Sequence, residues 1–220
     1  MQEIEAPDFN WKFILVGNAM VGKTSITGQH VDNKFEEVYT KTKKVEQVQK
    51  LTRIEGTDKH ARLAIWDTLG QEKFKSLASF FFRASSGAFL VYDCTNEESF
   101  YALEGWHEQI LKGCDSKVII MVLGNKVDKP DKKITSEMGR EWATSKGFGF
   151  AEVSAKTGHG VSAAFDALVG TVYSQFKRPG QPAVKAEAKG AQPDMMKGSM
   201  KLDPKKSEKN KKDEKKGGCC

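Results

Sequence analysis

No stretch of about 18 consecutive apolar residues occurs in the chain, so a membrane-spanning helix is not expected. The opening segment, Met1-Gln2-Glu3-Ile4-Glu5-Ala6-Pro7-Asp8, is acidic and has no apolar centre. It does not read as a secretory leader, and a reducing compartment is expected. Cysteine is scarce, with four in 220 residues, and nothing suggests a disulfide framework. Cys94 and Cys114 fall in apolar or helical surroundings, while Cys219 and Cys220 are the last two residues. His30, His60, His107 and His159 share no metal-ligand spacing and are expected at the surface or in packing roles. Internal repeats are absent, and so is an exposed heptad or apolar stripe, so a monomer is expected. A net basic charge is absent from the body of the chain. Of the +6 net charge, residues 177–220 carry 13 Lys/Arg against 6 Asp/Glu, leaving 22 basic and 23 acidic residues elsewhere. A basic globular face for nucleic acid is therefore not indicated, and the tail has no interleaved aromatics on which bases could stack.

What is present is an alternation of two patterns. Short β-rich runs fall at 11–16, 62–66, 87–92, 118–123 and 148–153. Several, such as Val118-Ile119-Ile120-Met121-Val122-Leu123, are apolar throughout and predict strands buried on both faces. Between them lie helical stretches. One spans 99–112 behind Thr95-Asn96-Glu97-Glu98, a capping box with Thr95 as N-cap and Glu98 at N3. A second spans 135–146, and Trp106 and Trp142 are expected to be core contacts on these two. Val161, Phe165, Leu168, Val172 and Phe176 mark one face of a third. Residues 45–66 differ, with two strand-like pieces flanking a turn at Glu55-Gly56-Thr57-Asp58. The expected fold class is α/β: three layers, a six-stranded, mostly parallel sheet with one antiparallel edge strand, and helices on both faces. Residues 1–10 read as an N-terminal extension and 11–176 as the domain. Residues 177–220, rich in Lys, Gly, Pro and Ala, bury too little to offset ordering entropy and are expected to be disordered.

Three motifs carry chemistry. Gly17-Asn18-Ala19-Met20-Val21-Gly22-Lys23-Thr24 fits G-x-x-x-x-G-K-[ST] between a strand at 13–16 and a helix at 24–31. Two glycines let successive N–H groups curl toward phosphate oxygens; Lys23 adds a compact positive charge, and Thr24 adds a hydroxyl for Mg²⁺. Asn125-Lys126-Val127-Asp128 follows the strand that ends at Leu123. Guanine presents N1–H and an exocyclic amine side by side, and one carboxylate, Asp128, can accept both. Adenine has an acceptor at N1 and would leave that carboxylate unpaired. Trp66-Asp67-Thr68-Leu69-Gly70-Gln71-Glu72 ends another strand. There Asp67 can hold Mg²⁺ through water, and Gln71 can orient an attacking water.

Together these motifs resemble the Ras superfamily of small GTPases, specifically its Rab branch, over residues 11–176 and the C-terminus. Ser154-Ala155-Lys156 resembles the family's loop over guanine O6, and Phe35 matches the aromatic that packs edge-on to the base. Phe80-Phe81-Phe82-Arg83 followed by Gly87-Ala88-Phe89-Leu90-Val91-Tyr92-Asp93 is similar to the Rab Y-Y-R segment and its strand. The resemblance implies a G domain binding GTP or GDP with Mg²⁺. Its nucleotide-contacting set is Gly17 to Thr24, Ser25, Phe35, Tyr39, Thr42, Gly70, Asn125, Lys126, Asp128, Ser154, Ala155 and Lys156. Lys23 would contact the β- and γ-phosphates. Thr24, Thr42 and Asp67 would serve the metal. Gly70 would sense the γ-phosphate, and Gln71 would be catalytic.

The sequence departs from the family pattern at Lys43 and Lys44, where Ile-Gly is usual, at Leu69, where Ala is usual, and at Ala19. Slow intrinsic hydrolysis is expected from the last two, with an activating protein supplying an arginine. The terminal Gly217-Gly218-Cys219-Cys220 is similar to the Rab double-cysteine signal, which receives two geranylgeranyl groups. Two chains anchor stably where one is marginal, and a net +4 over residues 201–220 adds attraction to anionic lipid. A flexible stretch from 177 to 216 spans roughly 35 Å r.m.s., which lets the head stand off a bilayer.

The expected function is a membrane-anchored switch that cycles between GTP and GDP and regulates vesicle and membrane trafficking by recruiting effectors. A prenylated GTP-binding platform with little or no hydrolysis is the alternative. Expected partners are effectors, an exchange factor, a GTPase-activating protein, the Rab escort and prenylation machinery, and a dissociation inhibitor. The expected location is the cytoplasmic face of an intracellular membrane, with a soluble cytosolic pool.

Overall fold

The strand Phe9–Val16 (β1) sends Phe13 and Leu15 into one apolar core and Ile14 and Val16 into another. That split follows from the two-residue period of a strand and requires a layer of helices on each side of the sheet. The computed structural model describes residues 6–37, 45–68, 81–114 and 117–176. After β1 come the helix Lys23–Asp32 (α1) and the hairpin of Glu46–Arg53 (β2) with His60–Asp67 (β3). Gly87–Asp93 (β4) is followed by the short helix Glu97–Tyr101 (α2) and by Leu103–Gly113 (α3). Ile119–Asn125 (β5), Ser136–Ser145 (α4), Gly149–Val153 (β6) and Val161–Phe176 (α5) complete the order.

The sheet has six strands in the order β2-β3-β1-β4-β5-β6. Every pair is parallel except β2 with β3, which is the expected hairpin at one edge. Its register runs from Glu46 opposite Asp67 to Arg53 opposite His60, and Gly56 turns the chain at φ 72°. All seven residues of β4 are buried, and so are the last six of β5. Phe89 and Leu123 face the core under α1 and α5, while Leu90 and Val122 face the core under α2, α3 and α4. Val161, Ala164, Phe165, Leu168, Val169 and Val172 bury one stripe of α5, each large side chain contributing about 1.5–3 kcal/mol. Phe165 is wedged between the Phe89 ring, 4.7 Å away, and the His30 ring, 3.7 Å away and within 4° of parallel.

Two local expectations are corrected. β1 begins at Phe9 rather than Trp11, because Phe9 stacks on Trp11 at 5.1 Å and meets Tyr173 edge-on at 5.7 Å. The capping residue before α2 is Asn96, not Thr95: its side chain accepts the Ser99 N–H at 3.2 Å. Thr95 is diverted because its N–H and hydroxyl both donate to the Asp93 carboxylate, at 2.9 and 2.8 Å. The stretch expected as one helix is also divided at Ala102 into α2 and α3. The helix expected over 135–146 is α4, and Thr135 is its N-cap, with Oγ1 accepting the Met138 N–H at 3.3 Å. Among the described residues, no helix is long and apolar enough to cross a membrane.

Candidate functional site

The carboxyl ends of β1, β3 and β5 open onto a cleft of about 580 Å³, a size suited to one nucleotide-like ligand. The turn from β1 into α1 supplies its floor. Gly17 has φ 149°, and a Cβ there would sit 2.2 Å from the Val91 carbonyl oxygen. Gly22 has φ 97°, and a Cβ there would sit 2.3 Å from Asn125 Nδ2. Only glycine fits at either position. Gly22 is also the N-cap of α1 and supplies no side-chain cap, so the helix's first N–H groups remain for an outside acceptor. An anion meets both those donors and the positive end of the helix.

Lys23 is 6% exposed, and its ammonium donates to the carbonyls of Gly17 and Asn18 at 2.9 and 2.8 Å. Burial lowers its pKa to about 8, partly opposed by the Asp67 charge. A buried cation whose hydrogen-bond partners among the described residues are carbonyls is poised to pair with phosphate. Thr24 Oγ1 donates to Asp67 Oδ2 at 2.5 Å. Asp67 is 3% exposed, and its Oδ1 has no hydrogen-bond partner among the described residues. Burial raises the Asp67 pKa, against the hydrogen bond from Thr24 and the charge of Lys23. An orphaned carboxylate oxygen beside a hydroxyl is a donor set that fits a hard divalent cation such as Mg²⁺.

At the other end of the cleft, Asn125 is 1% exposed and both ends of its amide are engaged. Nδ2 donates to the Val21 carbonyl at 2.8 Å, and Oδ1 accepts the Ala155 N–H at 3.1 Å. It thus staples the β1–α1 turn to the loop after β6. Ser154 Oγ donates to Asp128 Oδ1 at 2.6 Å, which fixes that carboxylate at the rim with its second oxygen left for a ligand. Lys156 reaches Glu37 at 3.5 Å across the rim, and Phe35, 37% exposed, lines the same wall.

The structure brings Ala19, Met20, Gly22, Lys23, Thr24, Ser25, Phe35, Asp67, Asn125, Lys126, Asp128, Ala155 and Lys156 to the cleft lining. Gly17, Asn18, Val21 and Ser154 stand behind it, holding the lining residues in place. Tyr39, Thr42, Lys43, Lys44, Leu69, Gly70, Gln71, Phe80, Cys219 and Cys220 lie outside the described residues. Sequence reasoning missed Trp106. Read as a core contact, it is 2% exposed, but its indole N–H also donates to Asn18 Oδ1 at 2.7 Å. The available signal was chemical: a buried indole N–H needs an acceptor. Lys129 also lines the cleft and was not singled out. Two of the histidines take packing roles: His30 stacks on Phe165 at 3.7 Å, and His107 meets Phe148 edge-on at 5.0 Å.

Phosphate-binding turn, carboxylate-backed hydroxyl and base-end carboxylate together define a P-loop nucleotide-binding domain. The Ras family model matches residues 12–174. The chain is 34% identical over 189 residues to Ras-related protein Rab-3A of Homo sapiens, covering 84% of this chain and 85% of that protein. It is 39% identical over 168 residues to Ras-related protein RabC of Dictyostelium discoideum, covering 76% and 86%. With Ras-related protein Rab-3D of Homo sapiens the identity is 32% over 187 residues, covering 84% of each. The chain belongs to the Ras family, in its Rab branch, and is a GTP-hydrolysing small GTPase.

Proposed function

We propose that this chain is a membrane-anchored guanine-nucleotide switch that recruits effectors in vesicle and membrane trafficking. The observation that carries the nucleotide reading is the Asn125 staple, which places the phosphate-binding turn and the base-end carboxylate Asp128 along one cleft. The α1 N-terminus and Lys23 bind the phosphates. Mg²⁺, when bound, offsets phosphate charge; Thr24 and Asp67 hold it, with Thr42 as a further ligand. Asp128 accepts the guanine N1–H and amine, and Phe35 and Lys126 flank the base. Gln71 orients the attacking water, and Gly70 reports the γ-phosphate. Ala19 and Leu69 keep the intrinsic rate slow, so an activating protein completes the timer.

Cys219 and Cys220 are the acceptors for two geranylgeranyl groups, added by the escort and prenylation machinery. A dissociation inhibitor maintains a cytosolic pool, and an exchange factor reloads the switch at the cytoplasmic face of an intracellular membrane. Competition against fluorescent GDP tests the base reading. GTP and GDP should displace it, and ATP should be weaker by about 10³-fold or more, as expected when a site's polar groups lose their match. ATP displacing it as well as GTP would overturn the assignment of Asp128.

A further inference from the structure

β4 ends on Asp93, which belongs to none of the three motifs that build the cleft. Its side chain is 10% exposed, and both carboxylate oxygens have partners within the protein. Oδ1 accepts the N–H and hydroxyl of Thr95, at 2.9 and 2.8 Å, and Oδ2 lies 2.6 Å from Lys126 Nζ. The same ammonium donates to the carbonyl of Met20 at 2.7 Å. Both ends of that link are backbone positions an L-residue seldom occupies, with φ 66° at Met20 and φ 69° at Lys126. Such conformations persist only where surrounding contacts over-determine them. Here one carboxylate orients one ammonium, and that ammonium joins the base loop to the phosphate turn. An ammonium has three N–H groups, so two fixed partners set the direction of the third, beside the cleft that Lys126 lines.

We propose that Asp93 is a positioning residue for nucleotide retention, acting through Lys126 to hold the base loop and the phosphate turn at one spacing. The inference rests on the reading of the cleft given above. The competing role is purely architectural: Asp93 also organises the turn into α2, since its N–H is accepted by Ser99 Oγ at 3.0 Å. The two roles differ in how they combine with loss of Lys126. If Asp93 works through that lysine, removing both side chains costs no more than removing the lysine alone. If it serves only the turn, the two effects multiply.

The test is fluorescent-GDP release with Mg²⁺ from the full chain as wild type, Asp93→Asn, Asp93→Ala, Lys126→Met and the Asp93→Asn/Lys126→Met double variant. Urea unfolding is measured on each. The carboxylate variants should release GDP about 10- to 100-fold faster than wild type, from loss of a short charge-assisted contact. The double variant should match Lys126→Met within about twofold. Release from Asp93→Asn within twofold of wild type would overturn the proposal, and so would multiplied effects in the double variant. Should Asp93→Asn fail to fold, Asp93→Ala, alone and combined with Lys126→Met, is judged by the same two criteria. Wild-type protein that holds no GDP would sink the reading of the cleft itself, which separates that failure from a failure of Asp93 alone.

Discussion

Replacing Asn125 by Ala removes a buried side chain that bonds both halves of the cleft wall. Two buried hydrogen bonds vanish, to the Val21 carbonyl at 2.8 Å and from the Ala155 N–H at 3.1 Å. Val21 and Ala155 are 1% and 3% exposed, so water does not readily replace the lost partner. Each group left unpaired costs about 1–3 kcal/mol, for roughly 2–6 kcal/mol in all. Part of that appears as lost stability of the empty protein. The rest appears as lost nucleotide affinity, because the bound ligand must then fix both loops itself. Taking about 2 kcal/mol as the share borne by binding, GDP release should accelerate about 30-fold. Asn125→Asp tests the sign of each contact separately. It keeps an acceptor for Ala155 but turns the Nδ2 position into an oxygen facing the Val21 carbonyl, so it should be at least as damaging. The assay is the release rate of fluorescent GDP against excess unlabelled GDP, with urea unfolding in parallel. Release within threefold of wild type together with an unchanged unfolding midpoint would refute the reasoning.

His30 gives a pH prediction. Its ring is buried against Phe165, neither nitrogen has a partner among the described residues, and burial followed by the nearby Lys50 charge lowers its pKa from 6.5 to about 3. The unfolded chain therefore takes up a proton near pH 6.5 that the folded chain refuses, so His30's contribution is complete above that pH and is lost as pH falls toward 3. His30→Phe keeps the ring stack and should reduce the fall in stability between pH 6.5 and 4; an identical slope in urea unfolding would contradict this. Gly139→Ala on α4 sets helix propensity against packing. Alanine gains about 1 kcal/mol as a helix former, but its Cβ would lie 2.4 Å from Tyr92 Oη and 2.7 Å from the Phe150 ring. Overpacking at about 1–3 kcal/mol wins, so the urea midpoint should fall, and a rise would show that the rings yield freely.

The sheet was legible because its strands announce themselves by burial. Runs such as 118–123 are apolar on both faces, and that pattern has few solutions other than an internal parallel strand. The hairpin was legible from Gly56, whose φ of 72° suits the residue placed there. The start of α2 was not, because Thr95 and Asn96 are both good caps and the choice depends on Asp93, whose carboxylate is shared between Thr95 in its own turn and Lys126 from the loop after β5. The glycines, lysine and threonine of the phosphate turn were readable because their spacing is the chemistry. Asn125 was readable as a motif member, but its task was not: both of its bonds reach across long sequence separations, to Val21 and Ala155. Trp106 carried a polar role hidden inside an apolar pattern, and only the fold brings it to Asn18.

The most direct test of the whole account is single-turnover hydrolysis by the purified full chain with Mg²⁺, comparing GTP with ATP and wild type with Gln71→Leu. The account predicts slow loss of GTP, no matching loss of ATP, and at least a tenfold drop in the Gln71→Leu rate. Equal turnover of ATP, or a GTP rate that Gln71→Leu leaves unchanged, would contradict it.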